Sequence, residues 1–386
     1  LVRVALFTNN YLPFCGGVTI SVETLRQGLE QQGHEVWVFA PRFAEPGRDG
    51  PRIVRYPSIP AVTYPEFALA VPFAPAIARL VRRLDIDLFH AHHPFLLGPA
   101  ALRFARRLGR PIVFTYHTRY DKYAHYVPVH RRVVERAAIG LSTRFADRVD
   151  AVIAPSAVVR AELGTRGVRA PITVVPTGVD LARFCPGSRE AARHSLGLPV
   201  DDPLVLYVGR LDREKSVDRL VTAFERIAGT MPRARFVLVG HGTEAARLRA
   251  YAGASPAASR MHFLGVRAHE ATVGCYQAAD VFLFASETET QGLVLAEAAA
   301  CGVPAVAVAA PGSDEVVRDG KSGVLTKSDP TEIADAAIGL LLDPVRRSTM
   351  AAHARALAER EFGVREQIDR TLAVYAQASR TCAERR

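Results

Sequence analysis

Short apolar runs alternate along this chain with stretches in which apolar residues recur at helical spacing, and the alternation persists from one end to the other. The first instance reads as a complete unit. A strand from Val2 to Thr8 leads into a loop holding Gly16-Gly17; a helix follows from about Val18 to Gln32, stopped by Gly33, and a second strand covers 35–39. Further strands are expected at 87–91, 111–116, 151–154 and 172–175, with helices near 74–84, 97–108 and 129–148. A second series places strands at 204–208, 235–239, 261–264, 281–285 and 305–309, helices at 216–227, 243–252 and 293–301, and a helical end from about Pro330. This is the pattern of an α/β chain built on parallel sheets. Between the two series, residues 176–203 hold four prolines and three glycines with weak periodicity, as expected of a connection between domains. The expected division is 1–185, 200–365, and a terminal helix over 366–386 returning to the first domain.

At 386 residues the chain is longer than one hydrophobic core usually serves. Its 49% hydrophobic and 23% charged residues exclude disordered and fibrous classes. No apolar stretch approaches the roughly 20 residues that span a bilayer, and the first residues lack the pattern of a signal peptide. Cys15, Cys185, Cys275, Cys301 and Cys382 form no CxxC pair, so neither a disulfide framework nor a zinc cage is indicated, and a reducing cytoplasm is the expected location. The net charge of +10 is concentrated early: residues 1–180 hold 23 Lys and Arg against 14 Asp and Glu, a balance of +9, which leaves +1 for the remainder. Such a field suits nucleic acid, anionic lipid or phosphorylated ligands, and is equally the surface of a plain basic protein.

In open α/β domains, ligands bind where strand carboxyl ends meet helix amino termini, so chemistry belongs in the strand-to-helix loops. The segment Ser286-Glu287-Thr288-Glu289-Thr290-Gln291-Gly292-Leu293-Val294-Leu295-Ala296-Glu297 sits at such a place. Gly292 turns the chain into a helix whose first N–H groups, at Leu293 and Val294, suit a diphosphate. Glu289 in the loop and Glu297 one turn inside the helix can accept from sugar and ribose hydroxyls; taken alone, the same spacing fits a capped surface helix. In Gly209-Arg210-Leu211-Asp212-Arg213-Glu214-Lys215, Arg210 and Lys215 suit a pyrophosphate leaving group, or form a solvated basic turn paired with Asp212 and Glu214. Gly16-Gly17 allows close backbone approach to phosphate, or makes a tight turn.

Together, in this order, these segments resemble the retaining glycosyltransferases of the GT-B fold, family 4, across nearly the whole chain. The resemblance implies two Rossmann-like parallel-sheet domains facing a central cleft. It implies transfer of a hexose, glucose first, from a nucleotide diphosphate sugar to a hydroxyl, by front-side attack in which a diphosphate oxygen takes the acceptor proton. It places Gly16 and Gly17 beside the donor phosphates with Gly209 and Gly240, Arg210 and Lys215 on the pyrophosphate, Glu289, Gln291, Gly292, Leu293 and Val294 around the transferred sugar and phosphates, and Glu297 on the ribose. His117 is placed at the reaction centre, and no obligatory metal or cofactor is implied. Thr290-Gln291 and Pro311-Gly312-Ser313 depart from the Gly-Phe and Gly-Gly common in the family, which leaves the donor sugar open. The run Tyr116-His117-Thr118-Arg119-Tyr120-Asp121-Lys122-Tyr123-Ala124-His125-Tyr126 is similar to the subgroup that glycosylates diacylglycerol.

A membrane-surface role is expected from the same stretch. Residues 128–148 carry Arg131, Arg132 and Arg136 among an apolar set of Val129, Val133, Val134, Ala137, Leu141 and Phe145, and Arg119, Tyr120 and Lys122 precede them. Such a helix either packs its apolar stripe inward or docks beside anionic headgroups, making the enzyme peripheral on the cytoplasmic membrane face. A GDP-mannose donor, a soluble acceptor, a silent nucleotide-sugar-binding subunit and a nucleotide-sugar epimerase are the alternatives. NAD binding is rejected: Gly240-His241-Gly242-Thr243-Glu244-Ala245 matches G-x-G-x-x-A, but no acid stands about 20 residues on, over 260–265. No recognisable nucleic-acid motif accompanies the charge.

Overall fold

The computed structural model describes residues 1–14, 16–43, 49–60, 68–119 and 131–385, the side chains of Arg131 and Arg132 excepted. The chain divides into two compact units, Leu1–Gly178 with Val364–Arg386, and Val179–Gly363.

The first unit is built on β1 (Arg3–Phe7), β2 (Glu35–Pro41), β3 (Ile53–Tyr56), β6 (Leu88–Ala91), β7 (Ile112–Thr115), β8 (Ala151–Ala154) and β9 (Ile172–Val174). They form a seven-stranded parallel sheet in the order β3-β2-β1-β6-β7-β8-β9. A small antiparallel hairpin pairs β4 (Ser58–Pro60) with β5 (Ala68–Ala70). The helices are α1 (Gly17–Gln31), α2 (Pro75–Arg83), α3 (Leu97–Leu108), α4 (Arg131–Ala146), α5 (Ala157–Thr165) and the terminal α13 (Val364–Glu384).

Strand β1 explains the layering. Its alternate residues face opposite sides of the sheet. Val4 and Leu6 join Val22, Leu25 and Leu29 of α1 and Ile368, Val374 and Tyr375 of α13, whereas Ala5 and Phe7 join Ile77 and Val81 of α2 and Leu97 and Ala101 of α3. A sheet buried on both faces needs continuous apolar strands, and residues 4–7 are fully buried.

The second unit starts with α6 (Arg189–Ser195). It continues through β10 (Leu204–Val208), α7 (Val217–Thr230), β11 (Arg235–Val239), α8 (Ala245–Gly253), β12 (Met261–Gly265), α9 (Val273–Ala278), β13 (Val281–Phe284), α10 (Leu293–Ala300), β14 (Ala305–Val308), β15 (Gly323–Thr326), α11 (Pro330–Leu342) and α12 (Pro344–Glu361). Its six strands are parallel in the order β12-β11-β10-β13-β14-β15.

The stretch expected to be a bare connection is largely part of this unit. Arg193 on α6 is fully buried, and its guanidinium donates to Asp280 Oδ2 (2.7 Å), the Ala278 carbonyl (2.9 Å) and the Asp202 carbonyl (2.6 Å). Asp280 Oδ2 also accepts the Leu204 amide (2.8 Å), so a satisfied buried charge ties α6 to the first strand of the sheet. Phe184 is buried in the same core. The boundary therefore falls at 178/179, before the expected 185. Elements not anticipated from periodicity are the short β3, β4, β5 and β15 and the helices α5, α6 and α9; the first two of these helices are capped by Ser156 and Ser188, whose hydroxyls accept from Val159 and Ala191 amides.

Candidate active site

In both sheets the strand order reverses at one place, between β1 and β6 and between β10 and β13. Loops leaving the carboxyl ends of such neighbours run in opposite directions and open a crevice, which is where open α/β sheets bind ligands. Gly16-Gly17 follow β1, Arg210 and Lys215 follow β10, and Glu289 follows β13, so these candidates lie at the two points, whereas Gly240 follows β11 and His117 follows β7.

In the second unit, β10 delivers Gly209 and Arg210, and a 3-10 turn at Arg213–Lys215 follows. Strand β13 delivers the loop 285–292 and α10. Gly292 caps α10 at φ +73° and, having no side chain, makes no cap bond of its own, which leaves the Leu293 and Val294 end suited to an anion. Gly240 at the end of β11 has φ +135°, and a Cβ there would stand 1.9 Å from the Gly209 carbonyl oxygen. Packing of adjacent strand ends, not a dinucleotide, accounts for that glycine.

Lys215 Nζ donates to Glu289 Oε1 across 74 residues of sequence. Burial by itself pushes the Glu289 carboxyl up, but the Lys215 ammonium, hydrogen bonds from Lys215 and Ser286, and the charge of Arg210 outweigh it and hold the carboxyl below the usual range. Arg210, about one third exposed, pairs with Asp212 Oδ2 and, at 2.8 Å, with Glu214 Oε1. The pairing expected of a plain basic turn is thus present, and it also fixes the guanidinium in direction. Asp212 is fully buried; its Oδ1 accepts from the Thr243 amide (2.8 Å) and hydroxyl (2.9 Å), tying the β10 loop to the β11 loop.

Glu297 is 3% exposed, and accepts from Tyr276 Oη (2.7 Å) and His269 Nε2 (2.7 Å). Burial lowers the His269 imidazole's proton affinity, but the bond to Glu297 and its charge raise it further than burial lowers it. Gln291 is buried beside Gly292. Sequence reading did not find Thr243 as the partner of Asp212, or Tyr276 and His269 as the partners of Glu297; each lies on a different loop or helix from the carboxylate it bonds, and no local spacing signals it.

In the first unit, α1 starts at Gly17 after the extended Gly16. A Cβ at Gly17 would meet no described atom within 4 Å, so packing does not require glycine there. At the neighbouring strand ends four histidines gather. His117 Nε2 lies 2.8 Å from His92 Nδ1, His90 stacks on His92 at 4.3 Å, and His93 Nδ1 accepts the Asn9 amide of the β1 loop (3.1 Å). Burial drives His90, His93 and His117 down to about 3 and His92 well below its usual value, aided at His90, His92 and His93 by neighbouring imidazoles, so all four are neutral at pH 7.

Arg119, expected on an acceptor or membrane surface, instead turns inward to Glu162 (3.4 Å), which also takes Arg166. Its side chain is 14% exposed, because the Glu162 carboxylate and Tyr116 hydroxyl organise two guanidinium groups there. Arg136 is exposed on α4; Tyr120 and Lys122 and the side chains of Arg131 and Arg132 lie outside the described residues. The α4 apolar set divides: Phe145 is buried, whereas Val133 and Leu141 are 64% and 55% exposed. Among the described residues no cluster of three His, Cys, Asp or Glu side chains is placed to hold a metal ion, and no helix is long and apolar enough to cross a membrane.

The chain is similar to known proteins over both units. The family model for Glycosyltransferase Family 4 matches residues 15–183, and that for Glycosyl transferases group 1 matches 188–357. The alpha-monoglucosyldiacylglycerol synthase of Acholeplasma laidlawii is 32% identical over 342 residues, covering 83% of this chain and 84% of that protein. A GDP-mannose-dependent alpha-mannosyltransferase of Mycobacterium tuberculosis is 34% identical over 332 residues, covering 84% and 83%. Among solved structures, sucrose-phosphate synthase from Thermosynechococcus elongatus superposes with a TM-score of 0.83 at 25% identity, covering 98% of this chain and 99% of that one. The fold is GT-B and the protein is an enzyme, a glycosyltransferase. The chain belongs to glycosyltransferase family 4.

Proposed function

We propose that this enzyme transfers glucose from UDP-glucose to diacylglycerol, retaining the alpha configuration and needing no metal. The observation that supports glucosyl transfer to diacylglycerol is the similarity to the Acholeplasma laidlawii synthase over most of both chains. An alpha product from an alpha-linked nucleotide sugar is retention. The mannosyltransferase from Mycobacterium tuberculosis supports a second reading, with GDP-mannose as donor.

In this proposal Arg210, Lys215 and the amino terminus of α10 stabilise the charge that grows on the leaving diphosphate. Glu289, kept ionised by Lys215, accepts from hydroxyls of the transferred sugar, and Gln291 lies beside it. A carboxylate offers about four lone-pair positions, so Glu297 retains capacity for ribose hydroxyls beyond its bonds to Tyr276 and His269. Gly16 and Gly17 let backbone approach the phosphates, and His117 stands at the reacting sugar. A diphosphate oxygen takes the acceptor proton as the new bond forms on the face the diphosphate leaves.

A panel of nucleotide sugars offered with diacylglycerol and with soluble acceptors, read by product mass, tests the substrate pair. UDP-glucose should give a hexosyl lipid, and this product should persist in EDTA. A product from GDP-mannose alone replaces the donor, and abolition by EDTA that magnesium or manganese reverses removes the metal-free mechanism.

We further assign α4 to a peripheral membrane surface. Val133, Ala137 and Leu141 are exposed at four-residue spacing beside exposed Arg136 and Arg144, a mixed apolar and basic face suited to anionic headgroups. Each arginine near such a surface adds about 1 kcal/mol, screened by salt. Sedimentation with anionic vesicles should therefore fall at high salt and in Arg131→Glu/Arg132→Glu/Arg136→Glu, while equal recovery with neutral and anionic vesicles would remove the membrane assignment.

A further inference from the structure

His92 presents a problem that packing does not answer. It is 1% exposed, its Nδ1 bonds His117 Nε2 at 2.8 Å, and its Nε2 has no hydrogen-bond partner among the described residues. A buried ring nitrogen without a partner is unfavourable, and an apolar ring of the same size would avoid it. The ring is nevertheless held firmly. His90 stacks on it at 4.3 Å with an interplanar angle of 29°, and His90 is itself fixed by Tyr375 Oη of α13 at Nδ1 and by Thr115 Oγ1 at Nε2, both 2.7 Å. The His117 ring lies nearly parallel to it, with centroids 5.1 Å apart and an interplanar angle of 24°.

Between two neutral imidazoles one ring must donate. An orphaned buried N–H is rarer than an orphaned acceptor, so the unpartnered His92 Nε2 is the bare nitrogen and its proton sits on Nδ1. His92 then donates to His117 Nε2, which leaves the His117 proton on Nδ1. We propose that His92 is a positioning residue: its Nδ1–H fixes the ring direction of His117 and keeps it in the Nδ1–H tautomer, as a hydrogen-bond donor and not a base on that nitrogen. The catalytic consequence rests on the assignment of His117 to the reacting sugar; the tautomer does not.

The two parts are therefore tested separately. In the wild-type enzyme with 15N-labelled histidine, the resonances lost in His117→Ala should show a protonated Nδ1 and an unprotonated, hydrogen-bonded Nε2. The reverse tautomer would overturn the proposal whatever His117 does in catalysis. In kinetics, His92→Phe should lower kcat roughly 10- to 100-fold while donor KM changes less than about 3-fold, the pattern of a misplaced reacting group. His92→Asn, whose amide reaches the Nδ1 position, should recover most of that loss, and His92→Phe should cost nothing further in a His117→Ala background. Losses that add in the double variant, or equal turnover in His92→Phe, His92→Asn and wild type, would overturn it. If His92→Phe does not fold, the wild-type tautomer and the His92→Asn kinetics decide. Full turnover in His117→Ala would instead sink the role given to His117 and leave the tautomer result standing.

Discussion

Replacing Arg210 or Lys215 by alanine should lower turnover roughly 10²-fold or more, the scale of losing one strong electrostatic contact to charge that develops in the transition state. The two substitutions should differ in a second respect. Lys215→Ala takes away the largest influence that lowers Glu289, while burial, which pushes the carboxyl up, remains. The acid limb of the pH–rate profile should therefore move to higher pH in Lys215→Ala. Arg210→Ala removes a lesser contribution to Glu289 and should move the limb less, while leaving the buried Asp212 with its Thr243 bonds. Thermal unfolding of both variants separates a folding defect from a lost contact. Near-normal turnover in both would remove the diphosphate role, and an unmoved acid limb in Lys215→Ala would show that the ion pair does not set the state of Glu289.

Acid should destabilise the first unit steeply. His90, His92 and His93 are buried and neutral, with proton affinity driven far below that of an unfolded histidine. As pH falls below about 6.5 the unfolded chain takes up protons that the folded unit does not. Stability is therefore full above that pH and is lost as pH falls toward about 3. Each such group contributes a slope of about 1.4 kcal/mol per pH unit, so at pH 5 three of them remove roughly 6 kcal/mol, comparable with the whole stability of a typical domain. The one tryptophan, Trp37, lies on β2 of this unit, so its emission reports this transition selectively. Its urea midpoint should drop sharply between pH 7 and pH 5, and a flat midpoint would contradict the buried neutral state. His269 runs the other way: with its proton affinity raised by Glu297, the stability it contributes is complete at acid pH and is lost as pH rises through its elevated value.

Much of the architecture was legible in residues alone because period and composition are local properties. Parallel strands buried on both faces read as unbroken apolar runs, and 97–108, 151–154, 204–208 and 235–239 were expected with the bounds the structure shows. Two series of strand and helix meant two parallel sheets, and the order of Gly16-Gly17, Arg210, Lys215, Glu289 and Glu297 carried the resemblance to GT-B glycosyltransferases; these residues cluster where strands lead into helices, which is where open α/β sheets bind ligands.

What tertiary structure decided was partnership at a distance. Lys215 finds Glu289, Asp212 finds Thr243, Glu297 finds Tyr276 and His269, and His117 finds His92, across separations of 74, 31, 21, 28 and 25 residues. A carboxylate's ionisation and an imidazole's tautomer depend on burial and on the nearest charge or hydrogen bond, and neither quantity has a period in sequence. The same reason moved the domain boundary: Pro and Gly in 176–203 looked like a linker, but a buried Arg193 needs its guanidinium donors paired, and only the folded unit brings Asp280 and the carbonyls of Ala278 and Asp202 to it.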